Sequence, residues 1–214
     1  KNATPARAVS IALSAALSVW LSRNHAGNVV LGLSYFALGE ILYIGFLFLT
    51  LSENGLRRVF VRLAGGEEKG YLAFEAVLGF LFFHNSIGLG YVATALPGDL
   101  FRHFPREALI PAAALLSAAG LGIKMWAAKA VSIEIYYWKD MFLGRKITDF
   151  VVSGPYKYTS NPMYGLGQLQ AYGFALSLGS SAGLLAALVN QALVFAFYFI
   201  VEKKFIARAY GGKS

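Results

Sequence analysis

VVLGLSYFALGEILYIGFLFLTL, residues Val29–Leu51, holds one charged side chain in 23 positions, Glu40. About 20 apolar residues in a row are what a helix needs to cross the hydrocarbon of a bilayer. A run this long and this poor in charge therefore reads as a membrane span. The whole chain carries the same signature. Its 214 residues are 57% hydrophobic and 14% charged, with a mean hydropathy of +0.56, whereas soluble chains carry about 25% charged residues.

Outward from that span, further apolar runs fall at residues 8–21, 71–96 and 107–135. The first is short and follows Lys1 and Arg7, as in a signal peptide, but with more spans downstream it reads as a short or tilted first helix. Residues 52–70 are polar, with Arg57, Arg58, Arg62 and Lys69 among glutamates, and predict a surface loop with an amphipathic turn near residues 56–63. Beyond residue 163 the chain is apolar again except at Gly179-Ser180-Ser181, which divides it into segments 164–178 and 182–201 and predicts a helical hairpin. The fold class expected is an all-α integral membrane protein. Residues 1–214 would form a single transmembrane domain, a bundle of about five to six helices ending in that hairpin.

Charge placement gives an orientation. With the N-terminus in the cytoplasm, fourteen lysines and arginines fall inside: Lys1, Arg7, Arg57, Arg58, Arg62, Lys69, Lys139, Arg145, Lys146, Lys157, Lys203, Lys204, Arg208 and Lys213. Only Arg23, Arg102 and Arg106 fall outside, and Lys124 and Lys129 lie within a span. Such asymmetry puts both termini on the cytoplasmic side, of a bacterial inner membrane or an endoplasmic reticulum membrane alike. It also absorbs the net charge of +8, so no nucleic-acid partner is implied. The chain has no cysteine. His25, His84 and His103 lie too far apart to suggest a metal site, and none is assigned.

One polar segment stands out at the cytoplasmic edge. Residues 154–164 read Gly-Pro-Tyr-Lys-Tyr-Thr-Ser-Asn-Pro-Met-Tyr. Proline biases its predecessor away from helix, so Gly154 and Asn161 should be non-helical. The hairpin that follows returns to the same face at Glu202-Lys203-Lys204. Tyrosine rings, an amide, lysines and a carboxylate would then meet beside the membrane surface, a plausible pocket for a zwitterionic, partly aromatic cofactor. The plain alternative is an interfacial loop anchored by its tyrosines.

These residues carry a family resemblance. Gly154 to Tyr158, then Asn161-Pro162-Met163-Tyr164-Gly165, then a hairpin ending in Glu202 and Phe205 to Gly211, resemble the membrane phospholipid N-methyltransferases, of which phosphatidylethanolamine N-methyltransferase is the type. More distantly the chain is similar to isoprenylcysteine carboxyl methyltransferases, which have His-Pro where Asn161-Pro162 stands. The resemblance covers roughly residues 121–211; before that only the apolar spans match. It implies S-adenosylmethionine as cofactor at the cytoplasmic face and a lipid substrate entering from the bilayer.

By position, the resemblance assigns Tyr156, Lys157, Tyr158, Asn161, Pro162, Met163, Tyr164 and Gly165 to the cofactor site, with Glu202 holding the amino group. The family usually has a second acid after that glutamate, where this chain has Lys203. It also has a Gly-x-Gly in the preceding helix, matched here by Gly120 and Gly122. The Gly-Leu-Gly pattern recurs at 88–90 and 165–167, and helix packing explains such glycines equally well.

Methyl transfer to an amine needs alignment, exclusion of water and loss of the ammonium proton. Glu134 and Asp140 are weak candidates for the proton acceptor, with Asp149 and Glu75 also near the face; spacing singles out none of them. Tyr136-Tyr137-Trp138 could cage a quaternary ammonium, or could belong to an interfacial aromatic belt.

Charged groups inside spans must face the bundle or snorkel. Lys129 is placed to snorkel, Glu40 and Lys124 to pair, and His84 to make an interhelical hydrogen bond. An isoprenylcysteine carboxyl or thiol methyltransferase remains an alternative, and so does a small transporter using Glu40, Lys124 and His84. A transporter would usually show internal repeats, and none is found.

Overall fold

The computed structural model describes residues 5–131 and 133–211. These are mostly helical, with no strand among the described residues, and four helices are long and apolar enough to cross a membrane. The protein is thus an all-α membrane protein. Helix α1 (Pro5–Asn24) and α2 (Val29–Leu51) are joined by a turn that Asn28 caps, its side chain accepting from the Leu31 amide at 3.0 Å. The segment expected to be amphipathic forms α3 (Arg57–Ala64), which buries no residue. Helix α4 (Glu67–Ala95) starts four residues earlier than the apolar run suggests, because Glu67 and Glu68 suit the first turn of a helix.

Helix α2 packs along α4. A Cβ on Gly39 would sit 3.3 Å from the Asn85 Cα, so this glycine lets α2 approach α4 closely and brings the next residue, Glu40, beside Asn85. Helix α5 (Arg106–Ala130) follows a short loop, yet it scarcely touches α4. Its partner is α8 (Leu169–Ser177), and the approach is close: a Cβ on Gly120 would lie 2.2 Å from the Gln170 amide nitrogen. Consecutive helices α4 and α5 therefore diverge, leaving space between them.

The expected 107–135 span ends at Ala130. The chain continues as α6 (Ile133–Tyr136) and, after Trp138 in a left-handed conformation (φ 53°), as α7 (Lys139–Leu143). That conformation costs a non-glycine residue roughly 1–2 kcal/mol. Helical 3₁₀ turns at Gly154–Lys157 and Leu166–Gln168 lead into α8, so the hairpin's first arm begins at Leu169 rather than 164 and is only nine residues long. Asn161 is non-helical, as the proline after it favours, whereas Gly154, expected to be non-helical, opens the first 3₁₀ turn with φ 62°, a left-handed value that glycine adopts without strain.

The second arm is longer than expected. Helix α9 (Ser181–Phe197) passes through a widened π-helical turn (Tyr198–Glu202) into α10 (Lys203–Ala209). Four of the six expected spans are thus full-length, while α1 has only a short apolar part, Ala12–Leu21, and α8 is a short arm.

Contacts gather the basic residues at one end. Arg145 pairs bidentately with Glu67 (3.0 and 2.6 Å), Lys139 with Glu68 (3.1 Å), and Arg208 with Glu53, while Arg57 donates to the Met141 carbonyl at 3.0 Å. Exposed pairs of this kind are each worth about 0–1 kcal/mol; their value here is positional, tying the segment after α6 to α4. Beneath them lies the aromatic core, with Tyr71, Phe74, Phe142 and Phe197 buried against Leu47 and Leu78. At the opposite end the hairpin turn is held by the α4–α5 loop: Gly98 and Leu100 donate to the Leu178 and Gly179 carbonyls, and the Ser181 amide donates to Asp99 at 3.0 Å.

Candidate active site

A cavity of about 640 Å³ runs from the basic end into the bundle, within the space between α4, α5, α8 and α9. That size falls in the usual range for a small-molecule site. Its basic end is built by the segment singled out in the sequence. Tyr156, Asn161, Pro162, Met163 and Tyr164 line it, as do Glu202 and Asp140. Across 38 positions of sequence, the Tyr164 hydroxyl donates to Glu202 Oε2 at 2.9 Å. The Trp138 side chain, whose only donor is the indole N–H, also hydrogen-bonds Glu202.

Two further contacts fix the segment. Gln191 Nε2 donates to the carbonyls of Tyr164 (2.8 Å) and Gly165 (3.2 Å), and its Oε1 accepts from the Tyr172 hydroxyl at 2.7 Å. Asp140 accepts from its neighbour's amide, Met141, at 2.8 Å and from the Tyr210 hydroxyl at 2.9 Å. Burial pushes the Asp140 carboxyl above the usual carboxylate range, despite those bonds. Burial likewise raises Tyr156 and Tyr164, with the Glu202 carboxylate adding to it, so both phenols stay protonated and act as donors.

Other expected site residues lie elsewhere. Lys157 and Tyr158 are exposed, the latter 6.4 Å from the Trp126 ring by centroids. Gly165, Gly120 and Gly122 do not line the cavity. Gly120 is a close-approach position under α8, whereas a Cβ on Gly122 would meet nothing within 4 Å. Glu134 sits in α6, but its side chain lies outside the described residues. Asp149 lines the cavity and pairs with Lys146 at 2.8 Å; Glu75 is buried beneath Tyr71 and does not line it.

Tyr136, Tyr137 and Trp138 all face the cavity, not an outer belt. Lys203 is exposed, over the Phe199 ring at 5.8 Å. It is turned away from the carboxylate that precedes it.

The inner part of the cavity holds groups that the sequence reading did not join. Lys124 Nζ donates to Gln168 Oε1 at 3.4 Å, Gln168 Nε2 donates to Asn190 Oδ1, and Asn190 Nδ2 donates to Glu40 Oε1 at 2.8 Å and Asn85 Oδ1 at 3.1 Å. Lysine can only donate and a carboxylate only accept, so the two ends fix the orientation of both amides between them. The expected Glu40–Lys124 pair is thus made through two amides, drawing together α2, α5, α9 and the 3₁₀ turn that leads into α8. Asn190-Gln191, two amides side by side in an apolar helix, was the signal for this network; polar residues in spans are seldom idle. His84 instead bonds Tyr35 and does not line the cavity.

An all-α membrane bundle with a deep cavity, carboxylates and tyrosines at one end and an amide relay within, is the class defined by these features. Residues 109–213 match the family described as phospholipid methyltransferase. It is similar to the phosphatidylethanolamine N-methyltransferase of Schizosaccharomyces japonicus, at 36% identity over 116 residues, 54% of this chain and 12% of that protein. The Eremothecium gossypii protein of the same name is 31% identical over 97 residues, 45% of this chain and 12% of its own length. Phosphatidylethanolamine N-methyltransferase 1 of Vanderwaltozyma polyspora is 31% identical over 124 residues, 58% of this chain and 14% of its own. The chain thus spans only a small part of these relatives. No solved structure matches it.

Proposed function

We propose that this protein transfers a methyl group from S-adenosylmethionine to the headgroup amine of a membrane phospholipid, phosphatidylethanolamine or its methylated derivatives. The observation that carries the reading is the Tyr164–Glu202 contact in the cavity wall, made by two segments within the stretch that matches the phospholipid methyltransferase family. Relatives named phosphatidylethanolamine N-methyltransferase add support.

The residues fit the cofactor. Its ammonium needs an acceptor, and Glu202 offers a carboxylate on the cavity wall; its adenine needs flat apolar partners, and Tyr156 and Tyr136 supply rings. When bound, the cofactor supplies an electrophilic methyl on a sulfonium. The chain's part is alignment and exclusion of water. Tyr164 and Trp138 hold the Glu202 carboxylate in one orientation, and Gln191 holds the Tyr164 backbone. Asp140, a cavity-wall carboxyl raised by burial, is the acceptor assigned in this reading to the proton that the ammonium must lose before it can attack, directly or through water. A quaternary product would meet the faces of Tyr136 and Tyr137, whose rings lie 5.1 Å apart.

In this reading the cavity's basic end faces the cytoplasm, with both termini on that side, as the lysine and arginine asymmetry supports. The test is to incubate membranes carrying the protein with methyl-labelled S-adenosylmethionine and extract the lipid. Label in amine phospholipids is expected. Label confined to thiols or prenylcysteine would overturn the substrate assignment.

A further inference from the structure

The amide relay leaves an asymmetric set of unused valences on the cavity wall. Each side-chain amide oxygen in it is occupied: Gln168 Oε1 by Lys124, Asn190 Oδ1 by Gln168, and Asn85 Oδ1 by Asn190. What remains toward the cavity is a set of donors. Asn85 is 5% exposed and its Nδ2 makes no close hydrogen bond, leaning only toward the Glu40 carboxylate. Lys124 spends one of its three donors on a long 3.4 Å bond. Glu40 Oε2 is also unpartnered, but Glu40 stands behind the amides and does not line the cavity. A buried wall that offers an ammonium and an amide N–H, with each amide oxygen of the relay already accepting, is complementary to an anion.

Position narrows the anion. Lys124 and Asn85 belong to the two helices that diverge, α5 and α4. The walls between them are mostly apolar, with Phe82, Leu89, Leu121 and Phe174 lining the cavity there beside Ser86 and Ser117. Lys124 also lies about 9 Å, at 1.5 Å per residue, from the end of α5 next to the tyrosines and carboxylates. An amphiphile with its chain between α4 and α5 would bring a phosphodiester to Lys124 before its amine reached Asp140 and Glu202.

We infer that Lys124 and Asn85 form a phosphate subsite, which grips the phosphodiester of the acceptor lipid one step deeper than its amine. The subsite deepens the methyltransferase reading and rests on it for the choice of lipid. The phosphate does not change when the amine is methylated, so one grip serves substrates with different numbers of methyls. Lys124 is then a specificity-determining residue, and its place inside a span has a use beyond the pairing with Glu40.

The test is binding, not turnover, with the full chain purified in a phosphate-free detergent and titrated calorimetrically. Three probes are used: a short-chain phosphatidylethanolamine, an alkylamine of matched length without phosphate, and inorganic phosphate. The wild-type chain should prefer the phospholipid over the alkylamine by about tenfold, roughly 1.4 kcal/mol. Lys124→Gln and Asn85→Leu should each lower that preference, Lys124→Arg should keep it, and affinity for S-adenosylmethionine should not change. A Lys124→Gln chain that keeps the preference overturns the subsite, as does one that loses cofactor affinity instead. Should Lys124→Gln fail to fold, the Asn85→Leu arm decides by the same criterion. Inorganic phosphate binding as tightly as the lipid would assign the wall to a free anion and overturn the lipid grip. Failure of the labelling experiment above would remove the methyltransferase reading without touching this preference.

Discussion

The Tyr164 hydroxyl meets Glu202 Oε2 at 2.9 Å and the Trp138 side chain bonds the same carboxylate, so Glu202 is held by two neutral donors rather than by a cation. Lys203, next in the chain, is exposed and over Phe199. With no cation bound to it, this carboxyl is open to a cationic ligand.

Glu202→Gln should therefore lower S-adenosylmethionine affinity strongly, by about tenfold or more, since hydrogen bonds to charged groups are worth ~1.5–3 kcal/mol. Tyr164→Phe and Trp138→Phe should each do so more weakly, through loss of orientation. Calorimetric titration of the three variants checks this; equal, unchanged affinities would remove the site. Lys203→Glu should leave affinity nearly as it is, because that side chain points elsewhere.

The two glycines of the Gly120-Leu121-Gly122 pattern should behave differently. Gly120→Ala places a Cβ where the Gln170 amide nitrogen would be 2.2 Å away, so α5 and α8 must separate; Gly122→Ala meets nothing within 4 Å. Overpacking costs about 1–3 kcal/mol. Thermal unfolding in detergent should show Gly120→Ala clearly destabilised and Gly122→Ala close to wild type. Equal loss of cofactor binding without loss of stability in both would instead make them a cofactor motif.

Asn190 joins the two ends of the relay. Asn190→Leu leaves Glu40 without its Oε1 donor and Gln168 Nε2 without its acceptor, and stranding a buried charge costs about 3–5 kcal/mol. The double variant Asn190→Leu with Glu40→Leu removes the stranded charge and should recover part of that loss. Additive destabilisation of the two changes would mean that Asn190 and Glu40 are not energetically coupled.

Asp140 predicts a pH dependence of stability. Its folded-state carboxyl is raised above 3.8 by burial, so the folded protein binds this proton more tightly than the unfolded chain does. Folding is favoured by the group while both states are protonated, and that contribution is lost as pH rises through the raised value. Asp140→Asn, which cannot ionise, should gain stability relative to wild type over that interval, read as a growing difference in melting temperature as pH rises. A difference that is flat with pH would contradict the raised carboxyl.

Much of this was legible in residue order. Val29–Leu51 and its companions announced the membrane helices, and the prolines at 155 and 162 marked the segment that walls the cavity. What spacing could not supply was reach. Asn85, Gln168 and Asn190 come from three helices and look individually like tolerated polar residues; only the packing of α2 on α4 at Gly39 and of α5 on α8 at Gly120 brings their network together. Tyr136 to Trp138 were ambiguous for a similar reason. Aromatics beside a span suit a headgroup belt as well as a cavity wall, and the left-handed turn at Trp138 that directs them inward has no sequence signal, since tryptophan seldom adopts it.

The widened turn at Tyr198–Glu202 settles the helical register of the last arm. Counted as plain α-helix at roughly 100° per residue, Asn190 and Glu202 would point about 120° apart. A π-helical turn absorbs one extra residue, so the effective separation is one less and the two directions come within roughly 20° of each other. The carboxylate at the cavity mouth and the amide at its depth then share one helix face, which joins the two polar regions into a single path along α9 and its π-helical turn.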